Sequence, residues 1–103
     1  MKLLTNEVYR KIENLLYSRN IIVNTNTLAA LKKLEDFFKG TDHMYFLKNY
    51  YYDRKNYKNR YPKNSMLFKQ ICKELYIEEP TLYIIKKEVI YKAAMIFYEK
   101  GVI

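Results

Sequence analysis

The chain has 103 residues, with no tryptophan, one cysteine, one histidine, two glycines and two prolines. Each shortage removes a class of protein. A single cysteine, Cys72, excludes an internal disulfide framework and suits a reducing, cytoplasmic setting. Cys72 and His43 together are too few for a structural zinc site. The scarcity of glycine and proline argues for helices joined by few tight turns, and there is no glycine-rich phosphate loop. No apolar run approaches the roughly 20 residues that span a bilayer, so no membrane partner is expected. The opening MKLLTNEVYRK lacks the apolar core and small-residue cleavage site of a secretory signal.

Catalysis finds equally little material. His43 stands beside Asp42 at an expected helix start, where capping or surface placement accounts for it. Cys72 falls on the core side of a helix and reads as a small apolar residue. Glu35–Asp36 and Glu78–Glu79 are adjacent pairs, whose side chains diverge on a helix and cannot converge on one bond. Met44, Met66 and Met95 read as core fillers. The expectation is a protein that is not an enzyme, with no metal, no cofactor and no small-molecule substrate.

Lysine, aromatic residues and positive charge are abundant. The formal charge is +8, and 12 of the residues are tyrosine. A basic chain of this size is disposed to bind polyanions. Lys, Asn, Ile and Tyr are also the residues that AT-rich codons encode, which competes as an explanation for the excess. The charge is uneven, however. Residues 1–47 carry net +2 and residues 65–103 net +1, while residues 48–64 hold six basic residues against one acidic, net +5. There Lys48, Arg54, Lys55, Lys58, Arg60 and Lys63 alternate with Tyr50, Tyr51, Tyr52, Tyr57 and Tyr61. Cations pair with phosphates, and tyrosines hydrogen-bond to a nucleic-acid backbone or stack on exposed bases.

Apolar periodicity predicts an all-α, single-domain bundle of about five helices over residues 1–103. Val8, Ile12, Leu15 and Leu16 define a helix over 6–19, capped by Thr5 or Asn6. Ile21, Ile22 and Val23 form a connection expected to pack inward. Asn26 or Thr27 opens a second helix, with Leu28, Leu31, Leu34 and Phe38 inside and Gly40 past its end. Thr41 or Asp42 opens a third, to about Tyr52. Residues 53–64 lose the period and read as a basic, tyrosine-rich loop between the N-terminal helices (1–52) and a C-terminal unit (65–103). Asn64 or Ser65 caps the fourth helix. The fifth begins near Glu79 and runs towards Lys100, with Gly101 ending it.

In Leu67–Ile90, LFKQICKELYIEEPTLYIIKKEVI, Leu67, Ile71 and Leu75 line one helix face. Pro80 fits only the first turn of a new helix, whose inner face holds Leu82, Ile85 and Val89. Two helices with almost no loop form a helix-turn-helix unit, the second helix of which can enter a major groove. The stretch resembles sigma-factor region 4 and, more closely, phage and phage-related-island regulators of the ArpU/RinA type. Cys72 takes the small-residue position, Leu75 the leucine, Ile77 the core position after the turn and Glu78 the cap. Thr81, Leu82 and Tyr83 open the recognition helix. Three positions depart from the pattern. Tyr76 stands where Gly or Asn is usual, Glu78 where Ser or Thr caps, and Ile84 where the family often has a basic residue.

The resemblance implies control of phage-like gene expression, and motifs of this kind usually act as homodimers or in larger assemblies. Double-stranded DNA is then the expected partner. Glu79, Thr81, Tyr83 and Lys87 face the base edges, Lys86 reaches a phosphate, and Arg54, Lys55, Lys58, Arg60 and Lys63 grip the backbone. A second reading keeps the shape but turns it on a protein: an activator, RNA polymerase or a host defence factor. Ile84, Tyr91, Ala94 and Tyr98 then form an apolar outer stripe, and the acidic Glu78–Glu79 pair would avoid phosphate.

Overall fold

A computed structural model of the chain describes residues 4–103. Among these residues there are six α-helices and no strand. They are α1 (Asn6–Tyr17), α2 (Thr25–Phe38), α3 (Asp42–Phe46), α4 (Arg54–Tyr57), α5 (Asn64–Leu75) and α6 (Glu79–Glu99). A turn of 3-10 helix, Arg19–Ile21, follows α1, and α3 continues into a π-helical stretch, Leu47–Tyr52. The sixth helix is α4, which lies inside the segment expected to be a loop.

Short polar side chains set three of the helix starts. Thr5 accepts from the Val8 N–H at 3.2 Å, Asn24 from Thr27 at 2.9 Å and Thr41 from Met44 at 3.4 Å. Each bond satisfies a first-turn donor with no partner inside the helix. Asn24, rather than Asn26 or Thr27, is the cap of α2; Asn26 instead donates to the Lys100 carbonyl. Lys63, not Asn64 or Ser65, precedes α5 and makes no side-chain cap, because its ammonium has no acceptor; the Asn64 side-chain oxygen accepts from Arg54. The connection before α2 does not pack inward as expected. Ile21 and Val23 are exposed, and only Ile22 is half-buried.

Helix α6 is the element on which the others assemble. Leu82, Ile85, Val89, Ile90, Ala93, Ala94, Ile96 and Phe97 are all buried, and α1, α2, α3 and α5 pack on it. Periodicity gave one inward face; neighbours on several sides bury a second flank through Ile90, Ala93 and Phe97. Ala94 is fully buried with them and leaves the outer stripe. Met66 and Met95, expected as core fillers, are instead exposed.

The π-helical stretch decides where the tyrosines go. The Asp53 N–H donates to the Lys48 carbonyl, five residues back, at 2.8 Å. The wider turn brings residues five apart onto one face. Phe46 and Tyr51 are thereby both buried, along with Leu47 and Tyr50. Phe46 stacks on Tyr50 at 4.8 Å, and Tyr51 meets Tyr17 edge-on at 4.9 Å. Phe46 and Tyr50 both approach Phe68 of α5, at 6.2 and 6.1 Å. Aromatic pairs at these separations add to the burial of their area.

The chain breaks between α5 and α6 at Tyr76, with φ 58° and ψ 43°. The Ile77 N–H donates to the Cys72 carbonyl at 3.1 Å and the Tyr76 N–H to Lys73 at 3.3 Å. This is the Schellman pattern, which satisfies the last carbonyls of a helix. At the end of α6 the same pattern is built on Gly101, φ 68°, with Val102 donating to Phe97 at 2.8 Å. Glycine adopts that backbone freely, whereas a residue with a Cβ is strained there by about 1–2 kcal/mol. The Tyr76 ring recovers little of this, since it is 95% exposed. Tyr76→Gly is therefore expected to stabilise the protein by up to about 1 kcal/mol, after glycine's extra chain entropy is subtracted. A urea midpoint that falls in this variant would show that Tyr76 makes a stabilising contact.

Candidate functional site

Beyond the bend, the first two turns of α6 are open on one side. Glu78, Glu79, Pro80, Thr81, Tyr83, Ile84 and Lys87 are exposed, while Leu82 and Ile85 hold the helix to the core. Pro80 lies in the first turn, where its missing N–H costs nothing. Tyr83 is exposed yet not free: its ring lies 4.4 Å from that of Phe68, so α5 sets its direction. A shallow groove of about 550 Å³ separates Lys69 and Lys73 of α5 from Glu78, Glu79 and Pro80. Sequence reading missed those two lysines. Their signal was present, since they lie four residues apart and off the Leu67–Ile71 face.

Lys86 is placed differently from expectation. Its ammonium is 4.0 Å from Glu13 and 5.3 Å from the centre of the Tyr50 ring, and its side chain is only 21% exposed. It fastens α6 to α1 and to the π-helical stretch instead of reaching outward. Glu13 also accepts the Tyr51 hydroxyl at 2.7 Å. The carboxylate thus holds two groups, Lys86 and Tyr51, that were expected to meet a nucleic acid.

The basic segment divides. Arg54 is tethered, donating to the Tyr61 carbonyl at 3.3 Å and to Asn64. Lys55, Lys58, Arg60 and Lys63 are exposed, with Arg60 lying 5.7 Å from the centre of the Tyr61 ring. The tyrosines between them do not form one continuous stacking surface. Tyr50 and Tyr51 are core residues. The Tyr52 hydroxyl donates to Glu35 at 2.8 Å, and the Tyr57 hydroxyl to Asn49 at 2.9 Å. Glu35 also holds Arg19 at 2.7 Å. Arg54 meets the first residue of α5, whereas Tyr76 stands past its other end, about 18 Å away at 1.5 Å per residue. The segment and the bend thus lie at opposite ends of α5.

A third surface runs down α6. Ile84, Tyr91, Met95 and Tyr98 are 59, 45, 45 and 37% exposed, at spacings of seven, four and three. Phe37 of α2, 57% exposed, lies alongside, and the Lys92 ammonium sits 4.0 Å from the centre of its ring. Glu88 interrupts the stripe and bonds to His43 at 2.9 Å. His43 in turn stacks on Phe38 at 4.8 Å, which explains this histidine structurally as a link between α3, α2 and α6.

Chemistry is sparse elsewhere. Cys72 is buried, and burial raises its thiol pKa, which favours the unreactive protonated form. Among the described residues no three His, Cys, Asp or Glu side chains cluster as metal ligands, and no helix is long and apolar enough to cross a membrane. Comparison with models of known protein families, with curated proteins and with solved structures finds no match.

Buried or carboxylate-bonded tyrosines make stability depend on pH. Burial, then Glu13, pushes Tyr9 up to about 12. Burial followed by the hydroxyl–carboxylate bond raises Tyr51 and Tyr52 further. Tyr45, bonded to Glu74, also rises to about 12. In each case folding favours the neutral phenol. The stabilisation is complete below the unfolded value of about 10 and is lost as pH rises through the folded values. Urea midpoints are expected to change little with tyrosine ionisation up to pH about 9 and to fall steeply above about 10. A midpoint unchanged at pH about 11 would contradict this account.

Proposed function

We propose that the chain is a small DNA-binding transcription regulator of phage or mobile-element type, acting by binding and not by catalysis. In this reading α5 and α6 are a helix-turn-helix, and the first turns of α6 enter the major groove. The observation that carries it is the left-handed bend at Tyr76, beyond which α6 keeps Thr81, Tyr83, Ile84 and Lys87 uncovered. Thr81 and Tyr83 supply hydroxyls for base edges, Ile84 an apolar contact for a thymine methyl, and Lys87 a cation. Lys69 and Lys73 offset Glu78 and Glu79 and lie where phosphates would pass. The resemblance to ArpU/RinA-type regulators supports the same reading, as does the +8 charge.

A gel-shift assay with a randomised duplex pool tests it. Affinity should fall steeply with salt, and Lys73→Ala or Lys87→Ala should each lower the salt slope by about one unit. Absence of duplex binding, or a flat salt response, would overturn the proposal.

The stripe of Ile84, Tyr91, Met95 and Tyr98 favours a second reading, in which α6 docks on a protein. In nuclease-treated extracts of the native host, Ile84→Asp and Tyr91→Asp should then each abolish a captured complex while leaving helical circular dichroism intact. A complex that survives both substitutions rules out the stripe.

A further inference from the structure

A cleft of about 700 Å³ opens between the end of α1 and the turn containing α4. That volume lies within the roughly 300–1,000 Å³ typical of small-ligand sites. Its lining has two characters. Arg54, Lys55 and Lys58 supply charge, and Tyr17, Ile21 and Tyr52 supply aromatic and apolar surface, with the Arg19 guanidinium 5.8 Å from the centre of the Tyr52 ring. The Asp53 carboxylate, Pro62 and the polar groups of Ser18, Asn20, Asn56 and Asn64 make up the rest.

The cations are the anomaly. Arg54 and Lys58 stand four residues apart across α4 and its cap, where like charges repel. Among the described residues none of the three forms an ion pair with a carboxylate. Asp53 lines the cleft without pairing to any of them. Arg54 is held instead by neutral oxygens, the Tyr61 carbonyl and Asn64. These fix its guanidinium and leave its charge uncompensated. A planar cation on a fixed stem suits a phosphate, and the neighbouring lysines add point charges. A bare inorganic anion would leave the tyrosine wall unused, whereas a nucleobase would cover it.

We propose that this cleft binds a nucleoside phosphate, free or as the unpaired end of a nucleic-acid strand, with Arg54, Lys55 and Lys58 on the phosphate and Tyr17 and Tyr52 against the base. The site stands apart from the face of α6 and does not depend on the duplex-binding reading.

Calorimetric titration of the full chain with AMP, 5′-phosphorylated oligothymidine and inorganic phosphate tests it. AMP or the oligomer should bind more tightly than phosphate. Equal affinity for both assigns a free nucleotide, and a marked preference for the oligomer assigns a strand end. The double variant Lys55→Glu, Lys58→Glu changes two exposed side chains and should weaken binding at least about tenfold, the loss expected from one charge-assisted hydrogen bond. Lys87→Ala should leave this binding unchanged even where it lowers affinity for duplex, which separates the two sites. Absence of nucleotide and oligomer binding, phosphate binding as tight as nucleotide binding, or indifference to the double variant would each overturn the proposal.

Discussion

At Tyr76 the backbone turns left-handed, and the last carbonyls of α5 accept N–H groups from the bend. Everything in the C-terminal half follows from that reversal. The apolar faces of α5 and α6 lie on one core only because the chain changes direction between them. Leu67 and Ile71 then share it with Leu82 and Ile85. Glycine would make the same turn with less strain, as Gly101 does at the other end of α6. Here the strained residue carries an almost fully exposed aromatic ring at the tip of the hairpin. Strain of this kind persists where the surroundings over-determine it and is common at functional sites.

Helix α6 meets two demands along one cylinder. Eight of its 21 residues are buried, more than in any other helix among the described residues. The side that remains open changes character along its length. Near the bend it combines hydroxyls, Ile84 and Lys87, with the α5 lysines opposite; further on it is the apolar run of Tyr91, Met95 and Tyr98. A helix anchored on several sides holds its exposed side chains in fixed directions, and the Phe68–Tyr83 contact shows that coupling directly. Half-buried carboxylates do comparable work in the N-terminal half. Glu13 and Glu35 between them engage two tyrosine hydroxyls, Arg19 and Lys86, converting much of the apparent cation–aromatic surface into internal scaffolding.

Several features were legible from pattern alone. Of the stripe Leu28, Leu31, Leu34 and Phe38, the last three are buried and Leu28 is half-buried, Thr41 caps α3, and Pro80 sits in the first turn of α6. These depend on residues within one or two turns of each other. The short helix Arg54–Tyr57 escaped notice because its residues have little apolar periodicity and it contributes no fully buried residue. Ala94 was misplaced because a single-face reading assumes neighbours on one side only. Lys86 and the tyrosines were misplaced because a side chain's partner can lie far along the chain: Lys86 meets Glu13, and Tyr52 meets Glu35.

By itself, then, the sequence determined an all-helical chain, the break before Pro80 and the concentration of positive charge in residues 48–64. Local spacing, capping and composition suffice for those. Tertiary structure alone decided that the π-helical stretch turns Tyr50 and Tyr51 into the core. It also separated the basic segment from the α5–α6 bend, and set Arg54, Lys55 and Lys58 around a cleft walled by Tyr17. The physical reason is the same in each case. Hydrophobic burial and the pairing of half-buried charges are settled between elements distant in sequence, and no window along the chain contains both partners.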